Sequence, residues 1–103
     1  MEEVMSAWVA HQIRGLDPED QYDILYEKVL NIVVEVSSLD PDLIEPTTPF
    51  MGLGLDSIMS VEIADRLGKA FSLDLQKTLI WTYSYMDALI KFLMDELGKK
   101  NAL

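Results

Sequence analysis

Three prolines crowd one stretch of an otherwise helix-patterned chain, in the pairs Asp40-Pro41, Glu45-Pro46 and Thr48-Pro49. Each disfavours helical backbone at the residue before it, and none can donate to a helical ladder. The segment 39–55 is therefore read as one long loop. A loop of that length in a compact domain is usually functional or disordered. Leu43, Ile44, Phe50 and Leu53 are spread along it, so it is expected to pack across its neighbours.

On either side the apolar residues recur at helical spacing. Asp17-Pro18-Glu19-Asp20 marks a start: Asp17 can cap, Pro18 can take the first helical position, and the acids complement the helix dipole. The spacing of Leu25, Val29, Ile32, Val33 and Val36 carries that helix to about Ser37. Ile32-Val33-Val34 is β-branched and would suit a strand, but no second strand is available to pair with it. A second helix is predicted from Ser57 to near Ala70, with Ile58, Val61, Ile63, Leu67 and Phe71 as its apolar positions. A connection over 72–77 leads to a short helical turn at 78–81. The last helix is expected to start at Ser84 or Tyr85, where Ser84 and Asp87 have capping-box spacing, and to stop at Gly98. Val4 to Ile13 is a weaker amphipathic segment, a short helix or a loosely docked arm.

The expected fold is thus all-α: a small four-helix bundle of three longer helices and one short one, with a long first loop. Its expected divisions are an N-terminal extension over 1–16, a main helical unit over 17–98 and a tail over 99–103. With 103 residues, half of them apolar, one modest core is within reach.

Composition excludes several function classes. Eighteen acidic residues against eight basic ones give a net charge of −10, which disfavours nucleic acid and anionic membranes as partners. Basic docking surfaces would be attracted. No apolar run is long enough to span a membrane, and Glu2 and Glu3 do not suit a secretory leader. The chain contains no cysteine, so it has no thiol chemistry of its own, and a cytoplasmic setting is expected.

The chemistry concentrates at Gly52-Leu53-Gly54-Leu55-Asp56-Ser57. Asp56 or Ser57 can cap the second helix. The free N–H groups at that helix start also favour an anion, such as a phosphodiester on Ser57. Gly52 and Gly54 would let the loop turn tightly and leave the hydroxyl open. Ser57 is not placed as a hydrolytic nucleophile, because Leu55 and Met59 stand where a nucleophile elbow has glycines. The only histidine, His11, lies in the weakly specified first segment. No metal or nucleotide motif is present.

In register around that serine stand Pro49, Phe50, Leu53, Gly54, Asp56, Ser57, Ile58, Val61, Glu62, Ile63, Leu67 and Phe71. Downstream follow Thr78-Leu79-Ile80-Trp81-Thr82-Tyr83 and Asp87-Ala88-Leu89. This pattern resembles the acyl carrier domains of type I polyketide synthases over residues 17–98. The chain departs from the usual pattern at Tyr83-Ser84-Tyr85, where Tyr-Pro-Thr is common, and at Gly52, where an acid or polar residue is usual.

The resemblance implies that a phosphopantetheinyl transferase, using coenzyme A and Mg²⁺, attaches 4'-phosphopantetheine to Ser57. The arm's thiol would then carry acyl or polyketide intermediates as thioesters to a ketosynthase, acyltransferase, reductase or thioesterase. It implies a non-enzymatic carrier, expected to be a monomer as an isolated domain. Asp56, Ile58, Met59, Glu62 and Asp65 are its candidate docking residues. Two alternatives stay open: a carrier of another thiotemplate system (fatty acid or peptidyl), or a helical interaction module in which Ser57 only caps.

Overall fold

The computed structural model describes residues 6–103. Glu2, Glu3, Val4 and Met5, used above in reading the N-terminus, lie outside the described residues. The expected all-helical class holds: five α-helices and two 3₁₀ turns occur among the described residues, and no strand. The helices are α1 (Ala7–Gln12), α2 (Pro18–Ser37), α3 (Ser57–Phe71), α4 (Leu79–Thr82) and α5 (Met86–Lys99). Four of them are the predicted set, and α1 is the N-terminal segment.

α2 has Pro18 in its first turn with Glu19 and Asp20 beside it, as the sequence pattern suggests. Asp17 occupies the cap position, but its side chain makes no capping bond. The β-branched run stays helical because Ile32 and Val33 are buried on the same face as Leu25 and Val29. Packing there outweighs intrinsic propensity. α2 closes on Ser38 in the left-handed region, with its N–H bonded to Val34.

α2 packs against both α3 and α5, and α4 packs against α3. The core draws on every helix, including Val9 from α1 and Ile13 at its C-cap, Leu25 and Val29 from α2, and Ile63 and Leu67 from α3. Each such side chain, fully buried, contributes about 1.5–3 kcal/mol of transfer free energy. α1 is firmly seated: Ser6 Oγ donates to the carbonyl of Ala70, and the Trp8 ring meets Phe71 edge-on at 5.4 Å.

The 39–55 loop packs across the bundle. It forms 3₁₀ turns at Pro41–Leu43 and Phe50–Leu53, and it buries Ile44, Phe50 and Leu55. Leu43 departs from the expectation and is exposed. Two backbone bonds pin the loop to the start of α5: Phe50 N–H to Ser84 O at 2.8 Å, and Asp87 N–H to Pro46 O at 2.9 Å.

Three sequence expectations are corrected. No Ser84–Asp87 capping box forms, since Tyr85 holds the cap position without a side-chain bond. Asp87 is instead drawn to Tyr22 and Lys91. Gly98 does not stop α5, which continues through Lys99 and closes with Asn101 in the left-handed region. There Ala102 N–H returns to Leu97 O and Asn101 N–H to Gly98 O, the paired bonds of a Schellman ending. Of the two glycines ahead of Ser57, only Gly54 uses a positive φ, of 85°.

Candidate functional site

The site is the junction between the pinned loop and α3. The Phe50–Leu53 turn buries Phe50, and Gly54 then reverses the chain with a φ that other residues rarely adopt. Leu55 tucks into the core. Asp56, in extended backbone, caps α3: its Oδ1 accepts the Met59 N–H at 2.8 Å. The capping role that the sequence left open between Asp56 and Ser57 thus falls to Asp56.

Ser57 is the first residue of α3 and is exposed. Its hydroxyl makes no hydrogen bond among the described residues. The N–H groups of Ser57 and Ile58 precede the helical ladder of a 15-residue helix. An anion carried on the Ser57 oxygen would lie at the positive end of the α3 dipole with those donors beside it. The residues present therefore suit a phosphodiester.

The five docking candidates fall at unequal depths. Asp56, Ile58, Glu62 and Asp65 are exposed, and Met59 is half-buried. Ile58 is 80% exposed, immediately beside Ser57. Val61, one of the expected apolar positions of this helix, is 41% exposed: two residues before the buried Ile63, it stands on nearly the opposite face of α3 and shares the outer face with Ile58. Met51, on the preceding turn, is also exposed. The apolar positions of α3 thus fall on two faces, with Ile63, Leu67 and Phe71 on the buried one.

The charges on α3 are paired. Arg66 lies 3.5 Å from Glu62 one turn back and 3.4 Å from Glu35 of α2, and Lys69 lies 3.0 Å from Asp65. The i,i+4 pairs were legible as spacing. The reach to Glu35 depends on how α2 and α3 cross, and had no sequence signal. Ser60, also on α3, is fully buried and its Oγ has no hydrogen-bond partner among the described residues. His11 is exposed on α1. Among the described residues no three acids or histidines gather in a metal-ligating group. No described helix is long and apolar enough to cross a membrane.

Residues 27–93 match the family described as "Phosphopantetheine attachment site". The chain is similar to mycoketide-CoA synthase of Mycobacterium tuberculosis, 34% identical over 91 residues, covering 87% of this chain and 2% of that protein. It is also similar to the cluster 41 polyketide synthase of Aspergillus flavus, 29% identical over 84 residues, 82% of this chain and 8% of that protein. The chain therefore spans only a small part of these relatives. Among solved structures, a free-standing peptidyl carrier protein from Acinetobacter baumannii superposes with a TM-score of 0.69 at 29% identity, covering 74% of this chain and 95% of that one. The A1-type ACP domain from module 5 of MLSA1 gives 0.70 at 27% identity, covering 79% and 82%.

Proposed function

The chain belongs to the phosphopantetheine attachment-site family, and from that premise we propose that Ser57 is the modified residue and that the protein is an acyl carrier of the polyketide synthase type. One observation carries the assignment: Ser57 presents an exposed hydroxyl with no partner at the start of α3, while Asp56 does the capping. A serine needed only as a cap would have its oxygen engaged.

The modification is a phosphoryl transfer. The serine oxygen forms a bond to the phosphorus of coenzyme A that bears the pantetheine. The bond from that phosphorus to the nucleotide breaks, and adenosine 3',5'-bisphosphate leaves. The serine proton passes to the transferase's base. Once attached, the group supplies a thiol that holds acyl chains as thioesters. This chain's own residues would position the group and seat the enzymes that visit it; beyond the serine oxygen, no reacting group of the protein is required.

The proposed carrier unit is 17–98, with α1 seated upon it and 99–103 as its tail. In this reading the protein is a cytoplasmic, monomeric carrier. The transferase and the synthase enzymes would meet it at Asp56, Ile58, Met59, Glu62 and Asp65. Similarity to polyketide synthases from bacterial and fungal sources supports the polyketide type. A peptidyl cargo has separate support in the likeness to a peptidyl carrier structure.

Incubation with a broad-specificity phosphopantetheinyl transferase and coenzyme A should add one phosphopantetheine by mass, and Ser57→Ala should abolish it. An unmodified wild-type protein after several such transferases sinks the assignment. Mass spectrometry of the acyl group on protein isolated from its producer separates the polyketide from the peptidyl cargo.

A further inference from the structure

The first turn of α5 holds one acid, Asp87, next to a cap position that Tyr85 fills without a side-chain bond. An acid placed there ordinarily serves its own helix, by capping or by meeting the dipole. Asp87 reaches across the bundle instead. Its Oδ1 accepts the Tyr22 hydroxyl of α2 at 2.6 Å, and its Oδ2 takes Lys91 at 3.0 Å. Tyr26 stands one turn along α2, its ring 6.0 Å from that of Tyr22. Burial, and then the carboxylates of Asp87 and of Glu45 from the loop, raise the pKa of the Tyr26 hydroxyl above its ordinary value. Residues of α2, α5 and the 39–55 loop thus converge on one carboxylate.

The loop is fastened at the same helix start, by Asp87 N–H to Pro46 O and by Phe50 N–H to Ser84 O. Between there and Asp56 it is held at the buried Phe50 and Leu55, while Met51 and Gly52 are exposed. Ser57 therefore receives its place from two sides: from the α3 ladder that begins with it, and from a loop whose anchor is the start of α5. A shift of that start against α2 would pass to the loop through both backbone bonds. The Tyr22 bond opposes such a shift.

We propose that Tyr22 and Asp87 are positioning residues for Ser57: by fixing the start of α5 against α2 they hold the loop in the arrangement from which the transferase takes the serine. This rests on the assignment of Ser57 as the attachment residue. A loop held in one arrangement needs no ordering when the enzyme binds. Where the competent arrangement is only fractionally populated, the apparent affinity falls by that fraction. Loosening the Tyr22–Asp87 clamp therefore acts on KM and leaves kcat, which belongs to the bound complex, near its original value. A bond that served stability alone would leave both unchanged as long as the chain stayed folded.

The test is the initial rate of modification by a broad-specificity phosphopantetheinyl transferase with coenzyme A, read by mass over a range of carrier concentrations. It compares the wild type, Tyr22→Phe, Asp87→Ala and the double variant, at a temperature where all are folded. Tyr22→Phe should raise KM about fivefold with kcat within about twofold, as for a competent fraction of about one fifth. The double variant should do no worse than Asp87→Ala, because the two residues act through one bond. Hydrogen exchange gives a second readout: in Tyr22→Phe the amides of Phe50 and Asp87 should exchange about tenfold faster relative to that of the buried Leu93. Leu97→Val, a core truncation roughly 15 Å along α5 from Asp87, is the control and should leave KM within about twofold. A Tyr22→Phe protein with the wild-type KM, or a Leu97→Val protein whose KM rises as much, overturns the proposal while leaving the Ser57 assignment standing. Absence of any mass addition to the wild type overturns the assignment itself.

Discussion

Tyr22 Oη donates a 2.6 Å hydrogen bond to Asp87 Oδ1, joining the start of α2 to the start of α5. The other oxygen of Asp87 takes Lys91 at 3.0 Å, and its backbone N–H holds the loop at Pro46. One residue thus fastens two helices and the loop that leads to Ser57.

The first prediction follows from that bond. The Tyr22 hydrogen bond, and then that of Lys91, hold the Asp87 carboxyl below its ordinary value. A lowered carboxyl stabilises the fold fully above the unfolded value of 3.8 and loses that contribution as pH falls through the lower folded value. Tyr22→Phe should cost about 1.5–3 kcal/mol at pH 7, in line with a hydrogen bond to a charged acceptor. The difference from the wild type should shrink towards pH 2. Urea unfolding at both pH values measures it.

Capping falls to Asp56 and, in the proposed assignment, attachment to Ser57, so stability and modification should separate. Asp56→Ala should cost about 1 kcal/mol through loss of the α3 cap. Ser57→Ala should change stability by less than about 0.5 kcal/mol, as an exposed substitution that removes no bond. Denaturant midpoints of the two variants check this, and equal losses would contradict it.

Gly68 gives a third prediction, against helix propensity. Alanine is ordinarily favoured over glycine inside a helix by about 1 kcal/mol. Here a Cβ at Gly68 would stand 2.9 Å from the Leu73 carbonyl oxygen, where the chain folds back over the end of α3. Leu73 N–H also bonds to Gly68 O, which holds that return in place. Gly68→Ala should therefore destabilise by about 1–3 kcal/mol, seen as a lowered Tm.

Much of this was legible in the chain. Pro18 fixed a helix start, the three X-Pro pairs fixed the loop, and the Asp56-Ser57 step fixed the start of α3. Endings were less legible, because Gly98 looked like a stop while the left-handed position fell to Asn101. A helix end depends on where the next residues pack, and Ala102 is drawn into the core. Val61 and Ile63 are two residues apart and stand on nearly opposite faces of α3; taking them as one apolar set hid that Val61 belongs with the exposed Ile58. The Ser84–Asp87 spacing was genuine, but Tyr22, far away in sequence, competed for the carboxylate and won it.

The last prediction concerns α1. Its pattern is short, yet Val9 and Ile13 are almost wholly buried, and Gln21 of α2 bonds the Ile13 carbonyl at 3.0 Å. Ile13→Ala should cost about 2–5 kcal/mol, the range for truncating a buried isoleucine. A merely loosely docked arm would give a far smaller loss. Ser6 and Trp8 touch α3 at Ala70 and Phe71, the end away from Ser57. At 1.5 Å per residue those two ends are roughly 20 Å apart. Under conditions where the variant remains folded, its modification at Ser57 should therefore stay within about twofold of the wild type, since sites this far apart that share no contacts act independently. Urea unfolding and the mass-based transferase assay, run on the same preparation, test both halves. A rate that collapses while the fold persists would mean that α1 takes part in presenting the serine.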